Sequence, residues 1–401
     1  MAGPRRGKTP PAPRTEPRLP PPSPAAFRAL GPYARTRLVE KACGVTLSLD
    51  VPADVFSTQR IDEGTLLLLE HLPEGAPRSV LDLGCGYGAL GLPVAARFPE
   101  ARVLLVDRDL LAVAASAHNA RALGLANVVV QPGLGYRGLT ASSDWVLCNV
   151  PARIGPLGIR SLVEGGRARG HVRIVVIRDL MPVAAALDGA KLVAQGPRHA
   201  VFAFAARPGE VPHDDAVYAR DQTHFAGLAL SRPHDASEDP AHFAALAVLA
   251  DALPRKAPSS VLCFRAGYGA LPLLAHARWP GARVVAQDRD LLDTAFLRRN
   301  ALAHGAPVEV RESLFFRDGL EDGSLACVLG ELSPSAGEGV ALRELEDAAA
   351  LLAPGGEALI LASEKIEREW LRSPSRGPLR PTILLRREGS CIVRISRPRG
   401  G

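Results

Sequence analysis

The 401-residue sequence predicts an α/β protein of two tandem domains, each a mostly parallel sheet ending in an antiparallel hairpin. Three observations predict it: a long internal repeat, strand-like apolar runs alternating with helical runs, and a glycine-bearing turn after the first such strand of each repeat. The repeat is decisive. The stretch VLDLGCGYGAL beginning at Val80 returns as VLCFRAGYGAL at Val261. The offset of 181 holds without a gap from Val80–Gly124 to Val261–Gly305, and 24 of the 45 paired positions are identical. Unrelated segments do not agree to this extent, so the chain is a duplication. Arg207-Pro208-Gly209 has linker character. The expected boundaries are a tail over 1–25, a first domain over 26–207 and a second over 208–401.

Within the first repeat, SVLDLG (79–84), ARVLLVD (101–107), NVVVQ (127–131), DWVLCN (144–149) and VRIVVIRD (172–179) read as strands. Their near-continuous apolar character is that of parallel strands covered on both faces. LLAVAASAHNARALG (110–124) has helical patterning. Alternating strand and helix folds into a doubly wound, Rossmann-like sheet. The first repeat ends in AKLVAQGPRHAVFAFAARP and the second in PTILLRREGSCIVRISRP, both read as hairpins about a central turn. Asn119 and its mate Asn300 read as structural residues ending a helical turn, and Tyr87 and Tyr268 as packing residues, with lining of the site as the alternative for Tyr87.

Composition excludes several function classes. Apolar residues are 47% and charged residues 22%, as in ordinary globular domains. The six cysteines are scattered singly, which argues against a zinc site or a disulfide framework and for a reducing compartment, the cytoplasm. The ten histidines show no metal-ligand spacing, and His213, His224 and His234 near the linker read as surface residues. No run of about 18 apolar residues predicts a membrane span. No Ser–His–Asp or Cys–His arrangement is discernible. Arginine supplies 43 of the 48 basic residues in a chain of net charge +6. That balance suits a polyanion such as RNA, and equally a codon usage rich in arginine. Residues 1–25, rich in Pro and Arg, read as a disordered basic tail, either dispensable or touching RNA phosphate through Arg5, Arg6, Lys8, Arg14 and Arg18.

The chemistry is expected at the first glycine turn, Asp82-Leu83-Gly84-Cys85-Gly86-Tyr87-Gly88. Gly84, Gly86 and Gly88 allow a sharp turn and a close approach of backbone to ligand. The turn leaves the first parallel strand at its carboxyl end, where open α/β sheets bind ligands. Asp107 follows about 20 residues later at the tip of the next strand, placed to accept hydrogen bonds from two ribose hydroxyls. Gly86-x-Gly88-x-x-Gly91 also satisfies the dinucleotide fingerprint, so an NAD(P) enzyme competes. Three features favour S-adenosyl-L-methionine. Asp82 stands two residues before the first glycine, where its carboxylate suits a methionine ammonium. By resemblance to methyltransferases, Asn149-Val150-Pro151 after the fourth strand stands where they carry a target-binding motif, and the terminal hairpins of both repeats match theirs. In the second repeat Asp82 becomes Cys263 and Gly84 becomes Arg265, while Gly267, Tyr268, Gly269 and Asp288 persist. That copy therefore reads as degenerate, with its cofactor site lost and its fold kept.

Asn149 and Pro151 are the candidate catalytic residues. An Asn side chain and the following carbonyl can accept both protons of an exocyclic amine, which aims the nitrogen lone pair at the methyl group. The run Val55-Phe56-Ser57-Thr58-Gln59-Arg60-Ile61-Asp62-Glu63-Gly64-Thr65-Leu66-Leu67-Leu68, taken with VLDLGCGYG, VDRD and the Asn149 motif, resembles the small-domain methyltransferases that act on ribosomal RNA guanine. The likeness covers about residues 50–155. It implies a class I methyltransferase fold, S-adenosylmethionine as donor and an RNA guanine amine as target, with Asp62 and Thr65 near the cofactor's methionine end. The tandem arrangement of one active and one degenerate copy is shared with the guanine-N2 enzymes of that family, although there the active copy is the C-terminal one. The family's Asn-Pro-Pro-aromatic motif is Asn-Val-Pro-Ala in this chain. The aromatic ring that stacks on the base is thus missing at Ala152, and Arg153 is the candidate substrate-binding residue in its place. A methyltransferase acting on a small molecule or protein, and an inactive RNA-binding relative, remain as alternatives.

Overall fold

The computed structural model describes residues 28–55, 59–209, 214–236, 240–333, 335–366, 368, 381–387 and 389–399. The expected basic tail, Phe56-Ser57-Thr58 and His213 lie outside the described residues. The first repeat opens with a hairpin of β1 (Ala34–Ala42) and β2 (Val45–Pro52). Its sheet comprises β3 (Ser79–Leu83), β4 (Arg102–Asp107), β5 (Val128–Pro132), β6 (Trp145–Asn149), β7 (His171–Ile177), β8 (Lys191–Gln195) and β9 (His199–Phe204). These lie in the order β5-β4-β3-β6-β7-β9-β8, parallel except that β9 runs against both of its neighbours. The order reverses between β3 and β6, which makes the carboxyl ends of those two strands the switch point.

The second repeat reproduces this plan. Its hairpin is β10 (Ala219–Phe225) and β11 (Leu228–Pro233). Its sheet holds β12 (Ser260–Phe264), β13 (Arg283–Asp288), β14 (Val308–Glu312), β15 (Leu325–Glu331), β16 (Leu352–Ser363), β17 (Thr382–Arg387) and β18 (Ser390–Ser396). The order is β14-β13-β12-β15-β16-β18-β17. Both terminal hairpins expected from the sequence are present.

Strand alternation sorts the core. Leu81, Val106, Val146 and Cys148 face Ile159, Leu162 and Val163 of the helix Pro156–Arg167. Val80, Leu105 and Leu147 face the other layer, with Leu68 from the helix Glu63–Glu70 and Leu92 and Val94 from the helix Gly91–Arg97. Near-complete burial on both faces explains why these strands read as continuous apolar runs.

The opening hairpins are the elements missed by the sequence reading. Their tips place two successive residues in left-handed conformation, Cys43 (φ 55) and Gly44 (φ 80), and Ala226 (φ 49) and Gly227 (φ 83). Tight hairpins favour this twist, usually with Asn or Asp in the first place. Each hairpin is held by the asparagine its repeat has in common. Asn119 lies inside the helix Leu110–Ala122 rather than ending a turn. Its oxygen accepts the Asp50 N–H at 2.8 Å, and its amide donates to the Asp50 and Tyr87 carbonyls, each at 2.9 Å. Asn300 does the same for Ser231 and Tyr268 at 2.8, 3.0 and 2.8 Å. One buried amide thereby joins hairpin, helix and glycine turn.

The repeats meet through their shared Asp-Arg-Asp-Leu-Leu segment. The Leu110 N–H donates to the Arg289 carbonyl and the Leu291 N–H to the Arg108 carbonyl, both at 3.1 Å. Arg108 bridges Asp290 (3.3 Å) and Asp235 (2.8 Å), while Arg289 bridges Asp109 (3.1 Å) and Asp54 (3.2 Å). Asp54 and Asp235 occupy matching places just after the two hairpins, so the contact has local two-fold symmetry.

Candidate functional site

A cavity of about 530 Å³ opens at the carboxyl ends of β3, β4 and β6, within the size range of small-molecule sites. The glycine turn forms its floor. Gly84 (φ 79) and Gly86 (φ 57) are left-handed, and an added methyl on either would meet nothing within 4 Å. The space above the turn is thus free for a ligand pressed against backbone. Gly88 (φ 95) has a different reason: a methyl there would lie 2.3 Å from Leu92.

Asp107 shapes the turn. One carboxylate oxygen accepts the Gly86 N–H at 2.8 Å and the other the Asp109 N–H at 2.9 Å. The side chain lines the cavity and retains acceptor capacity beyond these two bonds. Burial raises its pKa, and the two backbone N–H groups oppose the shift.

Asp82 requires a correction. The sequence reading placed its carboxylate at a methionine ammonium, but Asp82 is 0% exposed and does not line the cavity. Alternation along β3 turns it away from Leu83 and towards the helix Gly91–Arg97, where a methyl on Gly91 would lie 2.8 Å from the carboxylate. Burial pushes its pKa up to about 7, against the pull of the adjacent Gly91 backbone and with a smaller push from Asp107. Asp82 is buried between β3 and the helix Gly91–Arg97.

The other wall carries Asn149 at the end of β6, with Val150, Pro151, Ala152, Arg153 and Ile154 continuing along the rim. The Asn149 amide nitrogen donates to Asp62 at 3.0 Å and to the Thr65 hydroxyl at 2.9 Å. A carboxylate in this pair can only accept, so the Asn149 nitrogen must face it and the carboxamide oxygen is left pointing elsewhere. Asp62 is itself fixed as the N-cap of the helix Glu63–Glu70, accepting from the Gly64 and Thr65 N–H groups at 2.9 and 3.3 Å. The geometry therefore joins Asp62, Thr65 and Asn149 into one unit. All three line the cavity, as do Gly84, Gly86, Asp107, Pro151 and Arg153; Asp82 and Gly88 do not.

The sequence reading missed His199, Tyr218, His234 and Asp235 on the cavity wall. The last three belong to the second repeat. His234 was read as a surface residue, yet its ring is seated on Gly155, where a methyl would come within 2.4 Å of it. Gly155 is left-handed (φ 78) and leaves room for the ring, but nothing within the motif pointed to a residue of the other repeat.

The matching volume in the second repeat is filled by protein. Arg265 keeps the left-handed backbone of Gly84 (φ 48), and its guanidinium reaches Glu344 at 2.7 Å, Tyr33 at 3.3 Å and Asp54 at 3.4 Å. Phe264 stacks on Phe316 with ring centroids 4.3 Å apart. By strand register Glu331 stands where the first repeat has Asn149, paired with His242 at 3.2 Å, and a methyl on the preceding Gly330 would lie 2.3 Å from Phe264. Among the described residues, no cluster of His, Cys, Asp and Glu could hold a metal, and no helix is long and apolar enough to cross a membrane.

Residues 47–165 match the family model described as Methyltransferase small domain. Over 102 residues the chain is 45% identical to a ribosomal RNA small subunit methyltransferase C of Pseudomonas entomophila, covering 25% of this chain and 30% of that protein. Over 127 residues it is 42% identical to a ribosomal RNA large subunit methyltransferase G of Pseudomonas fluorescens, covering 31% and 33%. The matched stretch thus spans about a third of those relatives' length. A T. thermophilus 16S rRNA N2 methyltransferase (RsmC), solved with AdoMet and guanosine, superposes with a TM-score of 0.63 at 19% identity. That likeness covers 92% of this chain and 99% of the other, so the two-domain fold is shared along nearly its whole length. Residues 47–165, in the first repeat, thus match a methyltransferase small domain, and the two repeats together share the two-domain α/β fold of that solved structure.

Proposed function

We propose that the chain is a cytoplasmic S-adenosylmethionine-dependent methyltransferase whose first repeat transfers a methyl group to an exocyclic amine of an RNA base, with ribosomal RNA as the substrate class. One observation carries this reading: Asn149 lines the cavity with its amide nitrogen held by Asp62 and Thr65, which leaves its oxygen, without a bond among the described residues, to accept from a substrate. The relatives named as ribosomal RNA methyltransferases support the choice of substrate. The open cradle at Gly84 and Gly86, with Asp107 beside it, suits a nucleoside cofactor.

The cofactor, when bound, supplies an electrophilic methyl group on a sulfonium. The chain's own residues do the rest. Gly84 and Gly86 admit the ligand, and Asp107 offers carboxylate oxygen to ribose hydroxyls. The Asn149 oxygen and the neighbouring backbone carbonyl accept the N–H bonds of the incoming amine and turn its lone pair towards the methyl. Alignment of this kind lowers the barrier by positioning. Pro151 stiffens the turn after Asn149, and Arg153, exposed on the rim, meets substrate. The second repeat, its own pocket filled, serves as a scaffold and completes the wall of the first.

Ala152, in place of an aromatic residue, favours a second reading, transfer to a protein or small molecule. Labelled methyl transfer from S-adenosylmethionine, offered unmodified ribosomal RNA, protein and metabolite fractions, separates the two. Label confined to RNA is the expected result; label in either other fraction alone overturns the RNA assignment.

A further inference from the structure

We propose that His234, carried by the second repeat, supplies the flat face that holds the target base in the first repeat's cavity. This rests on the RNA methyltransferase reading above and specifies how the base is gripped. Four rings line the cavity: Tyr87, His199, Tyr218 and His234. Tyr87 (2% exposed), Tyr218 (8%) and His199 (9%) are buried, whereas His234 is only half-buried and has surface to offer. The ring sits directly on Gly155, at the end of the Asn149–Gly155 loop that carries the acceptor and lacks an aromatic side chain of its own.

The residue is held on both sides. Its N–H donates to the Tyr218 carbonyl at 2.7 Å, and its neighbour Asp235 is gripped by Arg108 of the first repeat at 2.8 Å. Burial and the nearby Arg220 lower the imidazole pKa, with Asp221 opposing, which favours the neutral ring. A neutral imidazole is a poor phosphate ligand, but it stacks on any base, since every base presents a π face. The first repeat thus owns the chemistry and borrows its stacking surface across the interface.

The test compares full-length wild type with His234→Ala, His234→Phe and His234→Gln. Each is measured for S-adenosylmethionine affinity by calorimetry, thermal midpoint, and kcat and KM on unmodified ribosomal RNA. His234→Ala is expected to lower kcat/KM for RNA by about 5- to 150-fold, the range for losing one stacking ring, mainly through KM. Cofactor affinity and thermal midpoint stay near wild type. His234→Phe is expected to restore most of the loss and His234→Gln little of it. Unchanged kcat/KM in His234→Ala, or rescue by Gln instead of Phe, overturns the stacking role. A parallel fall in cofactor affinity overturns it too. Cofactor binding by wild type without transfer to RNA sinks the RNA reading and this proposal together, whereas transfer by wild type with an indifferent His234 sinks this proposal alone.

Discussion

Replacing Asp62 by Asn separates two roles that the same carboxylate could have. The Asn149-to-Asp62 hydrogen bond is 3.0 Å long and charge-assisted. Such bonds are worth ~1.5–3 kcal/mol, against ~0.5–1.5 kcal/mol for neutral pairs. Asp62→Asn keeps an oxygen acceptor and an equally good helix cap. The net loss is therefore about 1 to 2 kcal/mol of preference for the productive Asn149 orientation, or about 5- to 30-fold. The new amide can also turn its N–H groups towards the Asn149 oxygen and occupy the acceptor meant for substrate. Single-turnover transfer to unmodified ribosomal RNA should slow by about tenfold. Calorimetric affinity for S-adenosylmethionine should change less than about twofold, because the cofactor cradle is untouched. The opposite pattern, weakened cofactor binding with an unchanged rate, would refute the orienting role and return Asp62 to the cofactor's methionine end, as the family resemblance implied.

Other perturbations follow from the same geometry. Gly84→Arg should abolish cofactor binding by calorimetry yet leave a folded protein, since Arg265 tolerates the same backbone in the second repeat; retained affinity would show that the cradle lies elsewhere. Asn119→Ala strands the Asp50 N–H and the Asp50 and Tyr87 carbonyls, so denaturant unfolding should show a loss of about 2–4 kcal/mol, and a loss below about 1 kcal/mol would contradict the stapling role. Asp82 should make stability pH-dependent. Its folded pKa of about 7 exceeds the unfolded value, so the folded state alone keeps that proton between about pH 4 and 7. Its contribution falls as pH rises through that window and is flat above it. Asp82→Asn, permanently neutral, should gain stability over wild type from about pH 4 upwards and level off above about pH 7; parallel denaturation curves at all pH values would count against the buried carboxyl.

Much of the sheet was legible because parallel strands covered on both faces write themselves as unbroken apolar runs. The glycine turn was equally plain, since Gly84 and Gly86 occupy conformations that side chains disfavour. What escaped was relational. Asp82 looked like a ligand because it adjoins the turn in sequence, but period-two alternation sends its side chain to the opposite face from the cavity. Asp62 and Thr65 were placed near the site by resemblance, while their contact with Asn149 joins positions 84 or more residues apart. The opening hairpins were hidden by Cys43 and Ala226, which stand where a tight turn usually advertises Asn or Asp. His234 and Asp235 reach the cavity from the other repeat, which no local pattern encodes.

The paired Asp-Arg-Asp-Leu-Leu segments have a further consequence. Each donates to the other what it receives: a backbone amide for a backbone carbonyl, a guanidinium for a carboxylate. That reciprocity is the signature of an isologous contact, the kind two copies of one gene product form in a homodimer. Joining such copies end to end makes them distinguishable. One half can then carry an arginine where the other leaves open space above a glycine, while residues beside its hairpin supply part of the neighbour's cavity wall.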